Sequence, residues 1–313
     1  MKLFLVRHGE TVDNVKGVYA GSLDSQLTNH GVEQTRLLGA YLAQNDVKFT
    51  NVFASPLSRA FRTADAIRKA QPKELSLEIV KVQELIERDY GPYEGKSFSS
   101  RSNWMKTGKD GHDDDDGVES IQALAKRGDE FLDEHLLPLF EKDSQSEELV
   151  VAVVAHGMLL SHLWRRLLLR LPRKSLTIAP EITATRSNLI LEHIGGWSNT
   201  GYLELSIRRE QKPEAHGHQS SQATDATTLP TPVPPPVQAQ DAEVSIAPPE
   251  SDELDVPSKS SSRVLYGYST TILAIDSKQH LVGIRRQPGG IGSSAHDEGQ
   301  KKLDGFFKRQ KLS

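Results

Sequence analysis

Two histidines in this chain stand where chemistry on a phosphate is possible. One lies in Arg7-His8-Gly9-Glu10-Thr11, the other in Ala155-His156-Gly157. Arginine beside histidine suits a phosphoryl group, because guanidinium grips it with a fork of N–H donors and imidazole can attack phosphorus. Gly9 lets backbone come close to the anion. Arg59, in Ser55-Pro56-Leu57-Ser58-Arg59-Ala60, adds a second guanidinium near a helix start, where the helix dipole also favours negative charge. Transfer of a phosphoryl group releases an alkoxide, which needs a proton. Glu84, Glu87 and Glu94 compete for that task, and spacing alone does not choose between them. Each residue also has an ordinary reading: a solvated Arg-His pair, an exposed helix arginine, a core histidine satisfied by backbone, or a solvated loop carboxylate.

The elements that must position these residues can be read from the apolar pattern. Residues 2–6 form a short continuous apolar run, which predicts a buried strand running into a loop at Arg7. Residues 149–155 are apolar throughout and rich in valine, which predicts a central strand covered on both faces, ending at His156. An apolar helix follows to about residue 171. Residues 51–54 read as another strand, with Ser55 as the N-cap and Pro56 at the first position of a helix to about residue 70. Ligands of open parallel sheets bind beyond the C-terminal strand ends, so His8 and His156 are expected on one rim. Helical spacing predicts further helices over 31–44 and 118–141. Strands are expected at 187–194 and 202–207 around a Gly195-Gly196 turn, at 270–275, and again at 280–284. Strands alternate with helices, so the expected fold class is α/β, a three-layer α/β/α sandwich with a mainly parallel central sheet.

Composition bounds the remaining choices. The 313 residues carry a net charge of -4, so no global field favours nucleic acid or an anionic membrane, and any positive site must be local. There is no cysteine, which excludes disulfides, thiolate nucleophiles and thiolate metal sites. The apolar start is too short for a signal-peptide core, and the longest apolar helix candidate is broken by Arg165-Arg166. A soluble, cytoplasmic protein is expected. Residues 213–262 are rich in Pro, Ser, Thr, Gln and Ala and are expected to be a disordered insertion, since they offer too little apolar surface to offset ordering. The division expected is a catalytic domain over 1–212, the insertion over 213–262, returning strands over 263–286, and a flexible tail over 287–313.

Taken together, Arg7-His8-Gly9-Glu10-Thr11, Ser55-x-Leu57-x-Arg59, Leu85-x-Glu87-Arg88-x-Tyr90-Gly91 with Glu94-Gly95, and Ala155-His156-Gly157 occur in the order of the histidine phosphatase (phosphoglycerate mutase-like) superfamily. The resemblance covers about residues 1–207. Within the superfamily the chain looks most like the TIGAR-type fructose-2,6-bisphosphatase-like branch, through 47–50, 90–96 and the late strand at 270–275. The resemblance implies that His8 becomes phosphohistidine and that Arg7, Arg59 and His156 hold the phosphoryl oxygens. It implies Glu87 as the acid of the first step and the base of the second. Asn14 would contact phosphate, with Gly21, Ser22 and Gly157 offering further donors. No metal and no cofactor is implied. His112 with Asp113 to Asp116 is the acidic stretch to weigh against that, but consecutive carboxylates lack a defined ligand geometry and read as a solvated loop. The expected activity is hydrolysis of a small sugar or carboxylate phosphate. A mutase, which uses the same core residues, is the alternative.

The tail carries a second signal. Gln300, Leu303, Phe306 and Phe307 have the spacing of the peptide that docks on the eukaryotic DNA sliding clamp (PCNA). One 3₁₀ turn puts residues three apart on one side, so Leu303, Phe306 and Phe307 would form an apolar plug while Gln300 fills a polar pocket. This implies the clamp as a partner and a nuclear fraction. A chance match, or docking on the protein's own core, is the other reading.

Overall fold

In the computed structural model, residues 1–98, 117–142, 148–186, 189–194, 196–210 and 265–297 are described. Strand β1 (Lys2–Arg7) leads through Thr11 into the short helix α1 (Val12–Lys16), then α2 (Asn29–Gln44), β2 (Asn51–Ala54), α3 (Ser58–Ala70) and β3 (Ile79–Lys81). Next come α4 (Ile121–Phe131), α5 (Leu137–Lys142), β4 (Val150–Ala155), α6 (Gly157–Arg170), β5 (Leu176–Ile178) and α7 (Pro180–Thr185). The final strands are β6 (Tyr202–Arg209) and β7 (Tyr268–Ser277).

The seven strands form one sheet in the order β3-β2-β4-β1-β6-β7-β5. The sheet is mixed: β1, β2, β3 and β4 pair in parallel, as do β5 and β7, while β6 runs antiparallel to both its neighbours. Side chains alternate across each strand, so the central strands β1, β2 and β4 feed two cores. Leu3, Leu5, Val151 and Val153 pack with Leu124, Phe131, Leu163 and Trp164 of α4 and α6. Phe4, Val6, Ala152 and Val154 pack with Leu38, Leu42, Ala64 and Ile67 of α2 and α3. These are the three layers expected from the sequence. Gly39 allows α2 and α3 to touch, because a Cβ there would stand 2.6 Å from the Ala66 carbonyl oxygen.

The parallel register does the positioning. Arg7 is level with Ala155, so the next residues, His8 and His156, emerge side by side at the C-terminal rim. Ala54 is level with Val154, which brings Ser55 to the same rim.

Four local expectations are corrected. Ser55 is not the cap of α3: the N-cap is Leu57, without a side-chain bond, and Ser58 N–H donates instead to Asp24 Oδ1 at 2.9 Å. The helix expected over 118–141 starts at Ile121 behind a Ser120 cap and opens into a π turn at Leu132–Leu136. Pro138 explains the widening, since it lacks an N–H and its ring would collide with the carbonyl four residues earlier. No strand forms over the described part of 187–194; Leu191–His193 is a 3₁₀ turn. Its carbonyls accept from side chains of α6, Trp164 Nε1 to Leu191 at 2.6 Å and Arg165 Nε to Glu192 at 3.1 Å, rather than from a strand ladder. The strand expected at 280–284 is also absent: Gln279–Leu281 is a 3₁₀ turn with His280 buried.

Chain 265–297 belongs to the same compact unit as 1–210. Glu210 N–H donates to the Gly267 carbonyl at 2.7 Å, so the chain leaves β6 and re-enters β7 at one place. Residues 287–297, assigned from sequence to a flexible tail, lie against the start of α2. Asn29 N–H donates to Ser294 O at 3.0 Å and His296 N–H to Leu27 O at 2.9 Å. Arg286 pairs with Glu10, its NH1 reaching Oε1 at 2.8 Å.

Candidate active site

His8 sits on the loop that leaves β1 and is 4 % exposed. Its Nδ1 lies 2.7 Å from the Gly9 carbonyl oxygen. A carbonyl only accepts, so Nδ1 carries the proton and Nε2 carries the lone pair. Nε2 has no hydrogen bond to any described residue. Burial, then the charges of Arg7 and Arg59, push the His8 pKa well below the usual histidine value. The ring is therefore neutral at physiological pH, with one free nucleophilic nitrogen.

His156 is fully buried, its ring 5.1 Å from that of His8. Arg59 Nε donates to its Nδ1 at 3.2 Å, so its proton is on Nε2, which donates to Ser55 Oγ at 2.8 Å. Burial and the charge of Arg59 hold its pKa well below the ordinary value too. Ser55 Oγ also accepts from Leu57 N–H at 3.3 Å, just ahead of α3.

The two guanidiniums are occupied differently. Arg7 NH1 donates to the Trp197 carbonyl at 2.6 Å, while its buried Nε has no partner. Gly157, the first residue of α6, lies against that free N–H; a Cβ there would stand 3.7 Å from Arg7 Nε. Arg59, 1 % exposed, sends NH1 to the Leu23 carbonyl and NH2 to the Gly21 carbonyl, each at 2.6 Å. Burial lowers the pKa of both arginines, and the negative charge of Glu87 opposes the shift in each.

The three candidate carboxylates separate in space. Glu87 accepts from Met158 N–H at 3.2 Å and Leu159 N–H at 3.0 Å, at the open start of α6. His156, the N-cap of that helix, makes no side-chain cap, so Glu87 supplies the capping oxygens from another loop. Glu94 is engaged elsewhere, accepting from Ser22 N–H at 2.6 Å and from Ser22 Oγ at 3.0 Å. It fits because Gly21 has φ +54 and no Cβ; a Cβ would fall 2.0 Å from Glu94 Oε1. Glu84 is half-buried and makes no side-chain hydrogen bond that reaches the histidines. Gly21 and Ser22 thus meet Arg59 and Glu94 respectively. Asn14 reaches the rim: its Oδ1 accepts from Thr11 N–H at 3.2 Å and from Asn199 Nδ2 at 3.0 Å.

Sequence reading missed Thr63 and the loop 197–201. Thr63 Oγ1 accepts from Gly9 N–H at 3.0 Å and fixes the turn beside His8. Asn199 Nδ2 donates to the His8 carbonyl at 3.2 Å, and Thr200 N–H to the Arg7 and His8 carbonyls at 3.1 and 3.2 Å. The signal for them is topological, because the start of β6 meets the end of β1 only once the two are known to pair antiparallel. His112, Asp113 to Asp116, Gln300, Leu303, Phe306 and Phe307 lie outside the described residues. Among the described residues no helix is long and apolar enough to cross a membrane.

The chain is 42 % identical over 105 residues to a probable fructose-2,6-bisphosphatase TIGAR A of Danio rerio, covering 33 % of this chain and 40 % of the relative. It is 34 % identical over 173 residues to a probable phosphatase of Schizosaccharomyces pombe, covering 53 % of this chain and 56 % of that one. A 2,3-bisphosphoglycerate-dependent phosphoglycerate mutase of Sinorhizobium fredii is 41 % identical over 103 residues, with 33 % and 48 % covered. The chain thus spans about half the length of these relatives. Among solved structures, the alpha-ribazole phosphatase from Shigella flexneri aligns with a TM-score of 0.49 at 26 % identity, over 66 % of this chain and 91 % of that one. The model of the histidine phosphatase superfamily (branch 1) matches residues 3–199, which span His8, Arg59, Glu87 and His156, and the chain belongs to that superfamily.

Proposed function

We propose that the protein is a phosphomonoesterase that works through a phosphohistidine at His8. One observation carries the reading: His8 is held as the Nδ1–H tautomer by Gly9, with Nε2 free and a partnerless Arg7 Nε–H on the preceding residue. In the first step the Nε2 lone pair attacks phosphorus, the ester P–O bond breaks, and Glu87 gives a proton to the leaving alkoxide. The positive charge left on the ring is shared with Nδ1–H, which the Gly9 carbonyl stabilises. In the second step Glu87 takes a proton from water, the water oxygen attacks phosphorus, the P–N bond breaks and inorganic phosphate leaves. Arg7, Arg59 and His156 neutralise the phosphoryl oxygens in both steps. Asn14, Gly21, Ser22 and Gly157 border the same rim as substrate-binding candidates.

The substrate class is a small sugar or carboxylate phosphate, fructose-2,6-bisphosphate among the first to try, since the Danio rerio relative is a probable fructose-2,6-bisphosphatase. The mutase reading shares every step but the last, and rests on the likeness to the Sinorhizobium fredii protein. Phosphate release from a panel of phosphorylated metabolites, with EDTA present, tests both. Wild type should release phosphate and His8→Ala should not. Equal turnover by the two forms would sink the phosphohistidine; movement of phosphate within the substrate without release would favour the mutase.

A second reading rests on the spacing of Gln300, Leu303, Phe306 and Phe307, which supports docking on the PCNA clamp. Purified clamp should be retained by the wild-type chain and lost when Phe306 and Phe307 are changed to Ala. Equal recovery removes the motif from the account.

A further inference from the structure

The residues that hold the back of the His8 site do not all lie within the family match, which ends at residue 199. Loop 197–201 touches the site at four points. It accepts the Arg7 guanidinium on Trp197 O, and it donates to the Arg7 and His8 carbonyls through Thr200 N–H. Asn199 Nδ2 ties the His8 carbonyl to Asn14. The Arg7 backbone N–H donates to Gly201 O at 3.1 Å. The loop is not relaxed: Thr200 is a fully buried, β-branched residue at φ +57, a conformation that persists only where its surroundings impose it.

Those surroundings come from the returning chain. Asp276, at the end of β7, accepts from Ser198 N–H and from Ser198 Oγ, both at 2.8 Å. Gly201 makes room for that carboxylate, since a Cβ there would stand 2.1 Å from Asp276 Oδ1. His280, on the 3₁₀ turn that follows, lies 2.8 Å from Thr200 Oγ1 through its Nε2. That hydroxyl already donates to the Asn199 carbonyl at 2.7 Å, so it accepts from His280 Nε2–H. His280 is 6 % exposed, and its ring stacks on Tyr202.

We infer that Asp276 and His280 are positioning residues for the proposed phosphotransfer, clamping loop 197–201 in the strained form that aligns Arg7 and His8. The inference rests on the reading of His8 as nucleophile. Two elements that follow residues 211–264 in the chain thereby become part of its machinery, acting through loop 197–201.

The test compares His280→Phe with His280→Gln in the full chain. Phenylalanine fills the space without a donor, while glutamine restores an N–H near the position of Nε2. His280→Phe should lower kcat roughly 10- to 100-fold, as expected for a reacting group displaced by a fraction of an ångström, with KM changed by less than about twofold. His280→Gln should recover most of kcat. If His280→Phe fails to fold, Thr200→Val removes the same hydroxyl contact and should reproduce the kcat loss. Wild-type kcat in His280→Phe, or in Thr200→Val, overturns the inference. A readout independent of turnover separates this from failure of the phosphatase reading: the imidazole ¹H–¹⁵N signal of His8 Nδ1–H. It should shift in His280→Phe and return in His280→Gln. An unchanged His8 signal overturns the inference whether or not the wild type hydrolyses any phosphate ester.

Discussion

The proposed nucleophile, His8, is served by two atoms that sequence patterns do not display, the Gly9 carbonyl and the Arg7 Nε. The carbonyl fixes the tautomer, and burial with two guanidiniums keeps the ring unprotonated, so the proposed attack needs no separate base. The buried Arg7 Nε–H has no partner, and residue 157, without a side chain, leaves the space beside it open. A methyl at 3.7 Å from Nε is ordinary contact, so Gly157→Ala should fold normally while screening that donor. Loss of one such preorganised donor typically costs ~10²-fold or more in kcat. A steady-state comparison at matched melting temperature checks this, and an unimpaired Gly157→Ala enzyme would show that Arg7 Nε does not serve the phosphoryl group.

Strands and helices divide sharply in how far their roles could be read from sequence. The run Val150–Ala155 is buried at every position, and its apolar, β-branched composition announces a central strand with no help from context. The two histidines were placed on one rim by the same logic, because each ends an apolar run. The carboxylate could not be chosen that way. Glu87 and Glu94 sit in the same kind of loop, and what separates them is which partner each meets: the open start of α6 for one, Ser22 for the other. Ser55 misled for a related reason. Its sequence context offers an N-cap, but the cap falls at Leu57, where Asp24 accepts from Ser58 N–H, and Ser55 Oγ accepts from Leu57 N–H and from His156 instead. The hairpin expected around Gly195-Gly196 failed because local alternation says nothing of side chains on α6 that take the carbonyls first.

Across the molecule, four buried histidines share one electrostatic condition. Burial lowers the pKa of His8, His156, His162 and His280, the last two to about 4. The unfolded chain binds protons at all four as pH falls through the ordinary histidine value, near 6.5, while the folded chain does not. Stability rises with pH wherever the unfolded state holds more protons, so it should fall steadily from about pH 6.5 towards pH 4. Thermal unfolding across that range is the measurement, and His162→Gln should flatten the slope. A melting temperature independent of pH between 6.5 and 4 would contradict the buried, neutral assignment.

The pairing of β6 with β7 also decides what the fold can tolerate. Because Glu210 and Gly267 are hydrogen-bonded neighbours, everything between them closes a hairpin whose ends are already fixed. For such a loop the entropy of closure grows only with the logarithm of its length, and halving or doubling it changes stability by ~0.6 kcal/mol. The pairing of β6 with β7 is therefore only weakly sensitive to how many residues separate Glu210 from Gly267. Chain length between the two strands can drift, while the strands themselves, and the contacts of Asp276 and His280 with loop 197–201, are held to the geometry around His8.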